Sequence, residues 1–498
     1  MGRNARRLRL VAAAGIAVAL AGGAVALHGA SATPRATSAT PTWNDVAPIF
    51  AAKCAGCHMP GGIAPFSITS PRSAAAHADA IEVMTQTGVM PPWPPGRDSP
   101  PYLGSDRRVL TPPEKDLIAR WARGGARIGS GGTITPARAA SSAPGTTLSV
   151  APARPYLPHA AVGGFDDYHC VLLEPHLEQD VFVTSADVQP QRTDIVHHVV
   201  LFAAEGANAA EARALNTRSQ GKGWTCFGGP GLSETHPTAD AASRDRLGSP
   251  QWIGAWVPGH TTVDTPAGIG VLVHKGAAIV MQVHYNLLHP ARPDRSRAVL
   301  RVVPARGSRL TPLDTILVPA PVELPCPAGV SSPLCSRDRA IADEARKYGA
   351  AAALIPTGLL YLCQKSLADY AQPPGTAENL ATSCDRRVNR PLRIYGVAGH
   401  MHLRGVDIRI DLNPGTPRGR VLLHIPHWHF HWQDAYYLKQ PVDASPGDTI
   451  RVTCRFDNAP GAQPLVNGKR LPPRYVLWGE GTTDEMCLGL IQATTRTG

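Results

Sequence analysis

Aromatic residues are sparse in this chain, 6% of 498, and charged residues make up only 17%. Lysine and arginine exceed aspartate and glutamate by 49 to 38, giving a net charge of +11, but they are scattered. No basic stripe carries interleaved aromatics, which excludes a nucleic-acid-binding surface. The charge instead describes a mildly basic exported protein. Beyond the first thirty or so residues no apolar run is long enough to cross a bilayer. No segment repeats, so a solenoid or propeller array is excluded as well.

The first residues carry a basic stretch (Arg3, Arg6, Arg7, Arg9), an uncharged Ala-rich run from Leu10 to Leu27, and Ala30-Ser31-Ala32 as an A-x-A cleavage site. That is a signal peptide over 1–32, or an N-terminal anchor if it stays uncleaved. The protein is then periplasmic or secreted, and contacts a membrane only in the uncleaved case. Ten cysteines suit an oxidising compartment. Two lie in one short motif, which leaves eight for up to four disulfides.

Length allows about three domains. Residues 41–128 form a compact segment with helical spacing at Val46, Ile49, Phe50 and Lys53. It closes with a helix opened by Thr111-Pro112-Pro113-Glu114, a capping box with proline in the first turn. Residues 129–154 are rich in Gly, Ser, Thr, Ala and Pro and read as a flexible linker. Thereafter short β-rich runs are broken by Gly, Pro, Asn and Asp: 181–183, 195–202, 279–285, 392–397, 406–412 and 450–456. The expected fold is a small all-α domain followed by two all-β jelly-roll sandwiches, 155–305 and 306–498. An insertion at about 326–384 carries a helical piece, Arg339 to Tyr348, framed by four cysteines. There the local pairings Cys326–Cys335 and Cys363–Cys384 close short loops.

Cys54-Ala55-Gly56-Cys57-His58 is the C-x-x-C-H signature of covalent haem attachment. Two thiols on one helical turn can bond both haem vinyl groups, and His58 then reaches the iron. Met90, in the Pro-stiffened Gly88-Val89-Met90-Pro91-Pro92-Trp93, is the candidate sixth ligand; Met/His ligation suits electron transfer. Met84 sits on a helix and reads as core. A helix leading into the motif and an aromatic-bearing closing helix resemble a small class I cytochrome c.

Two further donor sets follow. His197-His198 and His284 supply three imidazoles; His400, His402 and Met486 supply two imidazoles and a thioether. Imidazole suits copper, and a soft thioether helps hold the cuprous state. Residues two apart on a strand share a face, so His400 and His402 can grip one metal. The adjacent pair His197-His198 can do so only if its strand ends, twists or bulges there. The run His427-Trp428-His429-Phe430-His431-Trp432 offers a third metal site, or an ordinary half-buried strand with aromatics inward and histidines outward.

A His-His pair, Q-V-H-Y, G-H-M-H and T-T-D-E-M-C in this order resemble the copper type II, ascorbate-dependent monooxygenases, over roughly Tyr156 to Leu490. The resemblance implies two eight- to nine-stranded jelly rolls and two coppers. His197, His198 and His284 would hold an electron-transfer copper; His400, His402 and Met486 would hold the copper that binds oxygen and substrate. It also implies disulfides Cys170–Cys226 and Cys454–Cys487. The animal enzymes have no cytochrome domain, and their substrate-anchoring groups have no clear counterpart here.

The expected function is copper-dependent hydroxylation of a C–H bond of a small-molecule substrate. It consumes O2 and two electrons, supplied through one haem c from a redox protein, ascorbate or another small reductant. The alternative is a copper-binding, electron-transfer or redox-sensing protein without turnover.

Overall fold

The computed structural model describes residues 40–496, apart from 63, 137–140, 161–164, 233–249, 259–262, 288, 371–379 and 467. The expected leader, and His236 and His260, lie outside the described residues. Pro41–Gly498 forms one compact unit.

The chain begins with four helices, Trp43–Lys53, Pro71–Ala75, Ala78–Gln86 and Pro112–Arg123. Thr111 and Glu114 form the capping box that starts the last of them, with proline in its first turn. The first and last helices pack through Phe50 on Trp121, ring centroids 5.7 Å apart and edge-on. A Lys53–Glu114 ion pair of 2.7 Å joins the same two helices. Met84, expected in the core, is instead 42% exposed on the outer face of its helix. The packing of this segment is satisfied by Ile81, Trp121 and Ile118 without it.

The expected linker ends earlier than 154. Thr146–Val150 is a strand, paired antiparallel with Arg297–Pro304. Its Val150 enters the core of the first sandwich, which is more favourable than leaving that side chain in a solvated tether.

The first sandwich has one sheet in the order Thr146–Val150, Arg297–Pro304, Val181–Gln189, Ile269–Val273, Thr311–Pro312. The other runs Trp224–Thr225, Asp166–Leu173, Ala278–Asn286, Val196–Ala204, Gln251–Trp256. Val183, Ala186 and Val271 of one sheet meet Val199, Leu201 and Val283 of the other in a single core. The second sandwich sets Asp314–Pro319, Leu488–Thr495, Leu392–His400, Ala435–Ala444 against Leu380–Arg387, Thr449–Phe456, Gly405–Leu412, Arg420–Ile425. The alternation of apolar and polar residues along these strands puts Ile394 and Val397 against Ile408, Ile410 and Val452. Helices Arg337–Tyr348 and Ile355–Leu362 occupy the inserted stretch.

Disulfides join Cys170–Cys226, Cys326–Cys335, Cys363–Cys384 and Cys454–Cys487; Cys54 and Cys57 are free thiols.

Residues after the third helix do not stand apart from the second sandwich. Tyr102 is 2% exposed and belongs to that sandwich's core. Its hydroxyl donates to the Leu422 carbonyl at 2.7 Å, and its backbone bridges to Leu438. Asp98 accepts from His424, and Arg108 pairs with Asp434 at 3.1 Å. Tyr102→Ala is therefore expected to destabilise the chain by about 3–5 kcal/mol, as aromatic truncation in a core does. Tyr102→Phe, which loses only the hydrogen bond, should cost about 1 kcal/mol. Denaturant unfolding of the whole chain checks both; an unchanged Tyr102→Ala midpoint would show the contact to be dispensable.

Candidate metal centre

His198 and His284 are directly opposed on neighbouring antiparallel strands. The register slips between Val196 and His198, so His197 is the extra residue of a bulge. The bulge turns two sequence neighbours toward one point. Nδ1 of His198 lies 3.2 Å from Nδ1 of His197 and 3.3 Å from Nδ1 of His284. The ligand atoms of these three lie within 4.8 Å of one another.

The far side of His284 is fixed by a carboxylate. Its Nε2–H donates to Asp166 at 2.9 Å, which leaves Nδ1 unprotonated and facing the other two rings. Tyr168 stacks on His284 at 4.1 Å. Asp166 also accepts from the backbone and hydroxyl of Thr482, at 2.9 and 2.7 Å. The Tyr168 hydroxyl donates to the Glu480 carbonyl at 2.6 Å. One strand of the first sandwich thus grips the loop that leads to Met486 in the second.

His400 ends its strand and His402 lies in the turn beyond it, so the pair is not carried on one regular strand. The turn still brings Nε2 of His400 within 3.3 Å of Nε2 of His402. His400 Nδ1–H donates to Gln433 at 2.6 Å, which frees Nε2. Met401, between them, is fully buried in the sandwich core and faces away. Met486 lines the same cavity as His198, His400 and His402. Glu485, fully buried, accepts from the backbone N–H of His402, of Arg404 at 2.8 Å and of Met486 at 2.9 Å. One carboxylate therefore ties together the two backbone segments that carry the second set. The two sets adjoin: the His198 and His400 rings are 6.2 Å apart.

The run from 427 to 432 is a loop, not the expected strand, although the alternation persists. Trp428 and Phe430 are buried while His427, His429 and His431 are exposed. The Gln433 bond to His400 and the Trp428 indole donating to the His402 carbonyl at 3.1 Å hold the loop against the site rather than in a sheet. Phe430 stacks on His197 at 4.4 Å and meets His402 edge-on at 5.9 Å, wedged between the two sets.

Burial pushes His197, His198 and His402 well below the usual imidazole range, and takes His400 down to about 4. All four are neutral near pH 7, the form that binds metal. Nε2 of His197 and Nδ1 of His402 are buried without a partner. The converging atoms are others, Nδ1 of His197, His198 and His284 and Nε2 of His400 and His402; neutral imidazole nitrogens gathered at one point suit a cation, so these residues fit a metal.

At the N-terminal motif, Cys54 and Cys57 are unpaired, and burial raises both thiols, Cys54 to about 12. His58 Nδ1–H donates to the Phe66 carbonyl at 3.0 Å, leaving Nε2 free. Two free thiols on one turn beside an oriented imidazole fit thioether-bound haem. Met90 is half-buried, its backbone N–H bonded to the Met84 carbonyl at 3.0 Å.

Fold and site define a class: antiparallel sandwiches carrying buried imidazole sets, the donor chemistry of copper and zinc centres. Residues 355–493 match the family described as copper type II ascorbate-dependent monooxygenase, C-terminal domain. No curated protein matches the chain. Solved structures align only loosely. An uncharacterized protein, lmo2446 of Listeria monocytogenes EGD-e, is 10% identical with a TM-score of 0.13, over 44% of this chain and 14% of that one. The coconut allergen cocosin is 9% identical with a TM-score of 0.12, over 70% and 86%. The infectious bursal disease virus VP2 subviral particle gives 10% and 0.16, over 70% and 72%. Superpositions this poor add nothing to the fold or the site.

Asp166, Gln433, Glu485 and Phe430 were not singled out from the sequence. Glu485 stands inside T-T-D-E-M-C and Phe430 inside the run 427–432, but neither spacing gives its role; nothing local marks Asp166 or Gln433. Asp166→Ala is expected to weaken copper binding by the three-histidine set by roughly 10–100-fold, read by competition with a chelator. Unchanged affinity would remove Asp166 from the centre. The buried imidazoles also set a pH response in the metal-free protein. They bind fewer protons folded than unfolded, so their contribution to stability is present above about 6.5 and is lost as pH falls toward the lowered folded values. The His400 ring should titrate near 4 by NMR; a midpoint near 6.5 would contradict its burial.

Proposed function

We propose that this chain is an exported copper monooxygenase that hydroxylates a C–H bond of a small molecule with O2 and two electrons. The carrying observation is that the two donor sets adjoin, with His198 of the first and His400, His402 and Met486 of the second on the wall of one cavity. The family match over residues 355–493 supports copper- and ascorbate-dependent chemistry.

His197, His198 and His284 would hold one copper, and His400, His402 and Met486 the other. Copper there would supply one-electron redox steps at each set and oxygen activation at the softer one. Asp166 and Gln433 hold the tautomers of His284 and His400, so that each presents one unprotonated nitrogen. Glu485 keeps the His402 turn and the Met486 backbone in register. Phe430 packs on His197 and His402 and holds the two sets apart.

Cys54, Cys57 and His58 would hold haem c, with Met90 as candidate sixth ligand, and the haem would supply electron delivery. The arrangement that supports it is the docking of this segment beside the second set. Arg108 pairs with Asp434, the residue next to Gln433, which bonds His400. Thr193, four residues before His197, donates to the Gly61 carbonyl of the haem-motif loop at 2.6 Å. Four disulfides support export. No helix among the described residues is long and apolar enough to cross a membrane.

The test is incubation of copper-loaded protein with reductant, labelled O2 and a metabolite mixture, scored for products that gain one labelled oxygen. Copper binding with no such product under any reductant would leave a redox carrier instead. Met486→His should keep its copper, lose most oxygen insertion and lose the sulfur scatterer in X-ray absorption of the reduced protein. His197→Ala should lose the other copper. Wild-type turnover in Met486→His would exclude the mechanism.

A further inference from the structure

The cavity lined by His198, His400, His402 and Met486 is far larger than the donors need. It holds about 500 Å³, roughly three times the ~150 Å³ cavity that accepts benzene. Beyond the metal donors its wall includes Phe202, Trp252, Trp256, Leu317, Trp478 and Leu488. These are contributed by both sandwiches, so the space is built by the fold and is not a surface dimple.

Charge on this wall is limited and already engaged. Among the described residues, none that lines it is lysine or arginine. Its acids are Asp434 and Glu480. Asp434 is paired with Arg108 at 3.1 Å. Burial raises the Glu480 carboxyl to about 7. In the metal-free protein a ligand carboxylate would enter with no side-chain counter-charge, and stripping water from an unpaired charge costs several kcal/mol. The other polar side chains on the wall away from the metal donors are uncharged, among them Thr315, Tyr437 and Gln492. They complement a carbonyl or hydroxyl, not an ion.

We infer that the substrate is a neutral, largely apolar molecule of about two to three rings bearing a ketone or hydroxyl group. The wall beyond the metal donors rejects carboxylates and ammonium compounds. The chemistry rests on the monooxygenase reading: the C–H bond takes one oxygen atom, and the other leaves as water with two electrons from the reductant and two protons. The binding does not rest on that reading, and the two can be tested apart.

Metal-free full-length protein is titrated with four molecules of one skeleton: 1-tetralone, 1-tetralol, tetralin-1-carboxylate and 1-aminotetralin. Binding is read by calorimetry and by the fluorescence of the cavity tryptophans. The ketone and alcohol should bind at least about tenfold more tightly than the two ions, a difference of ~1.4 kcal/mol. Leu317→Arg, which places a cation on the wall away from the metal donors, should shift preference toward the carboxylate. Leu317→Trp, which fills space without charge, should weaken every ligand. A charged member binding as tightly as the neutral ones, or no member binding at all, would overturn the inference. Neutral ligands that bind normally but gain no oxygen in the copper-loaded protein would count against the proposed function and leave the cavity's selectivity standing.

Discussion

Burial keeps four crowded imidazoles, His197, His198, His400 and His402, uncharged near pH 7, and that constraint organises the middle of this molecule. Each ring with a partner on one nitrogen keeps the other nitrogen bare. Asp166 does this for His284 and Gln433 for His400. Burial keeps His197, His198 and His402 neutral, with His197 and His402 each holding a buried atom that finds no partner. The arrangement is costly for the apo chain and rewards a cation. It also explains why the strand carrying the histidine pair must bulge: a regular strand would send His197 and His198 to opposite faces.

The same constraint joins the two sandwiches. Asp166 and Tyr168 stand on one strand of the first, and their polar atoms reach Thr482 and Glu480 of the second. The group that sets the tautomer of His284 therefore also positions the loop that carries Met486. A disturbance at Thr482 acts on His284 through a single shared carboxylate, so the two donor sets are not mechanically independent.

Periodicity made much of the architecture legible. Short β-rich runs at 181–183, 279–285 and 450–456 mark strands, and the Thr111–Glu114 box marks a helix start, because these depend on local spacing. What was hidden depends on distant partners. Thr146–Val150 looks like tether until Arg297–Pro304 is beside it. Tyr102 looks like part of a separate domain until Leu422 and Leu438 receive it. Phe430 and Gln433 lie in a histidine-rich run whose alternation suggests a strand. Their contacts to His197 and His400 instead hold the run as a loop, and no spacing rule anticipates that.

The seat of Tyr102 has a consequence for the order of events during biosynthesis. Its hydroxyl acceptor lies 320 residues further along the chain. Emerging from the N-terminus, the helical segment must wait for almost the whole polypeptide before it can dock, because closing so long a loop precedes any reward from the contact. Throughout that interval Cys54, Cys57 and His58 belong to a segment whose own small core, built on Phe50 and Trp121, is already complete in sequence. Any enzyme that modifies the thiols therefore has a window to reach them before the second sandwich arrives, and the latest part of the fold to assemble is the junction between that motif and His400.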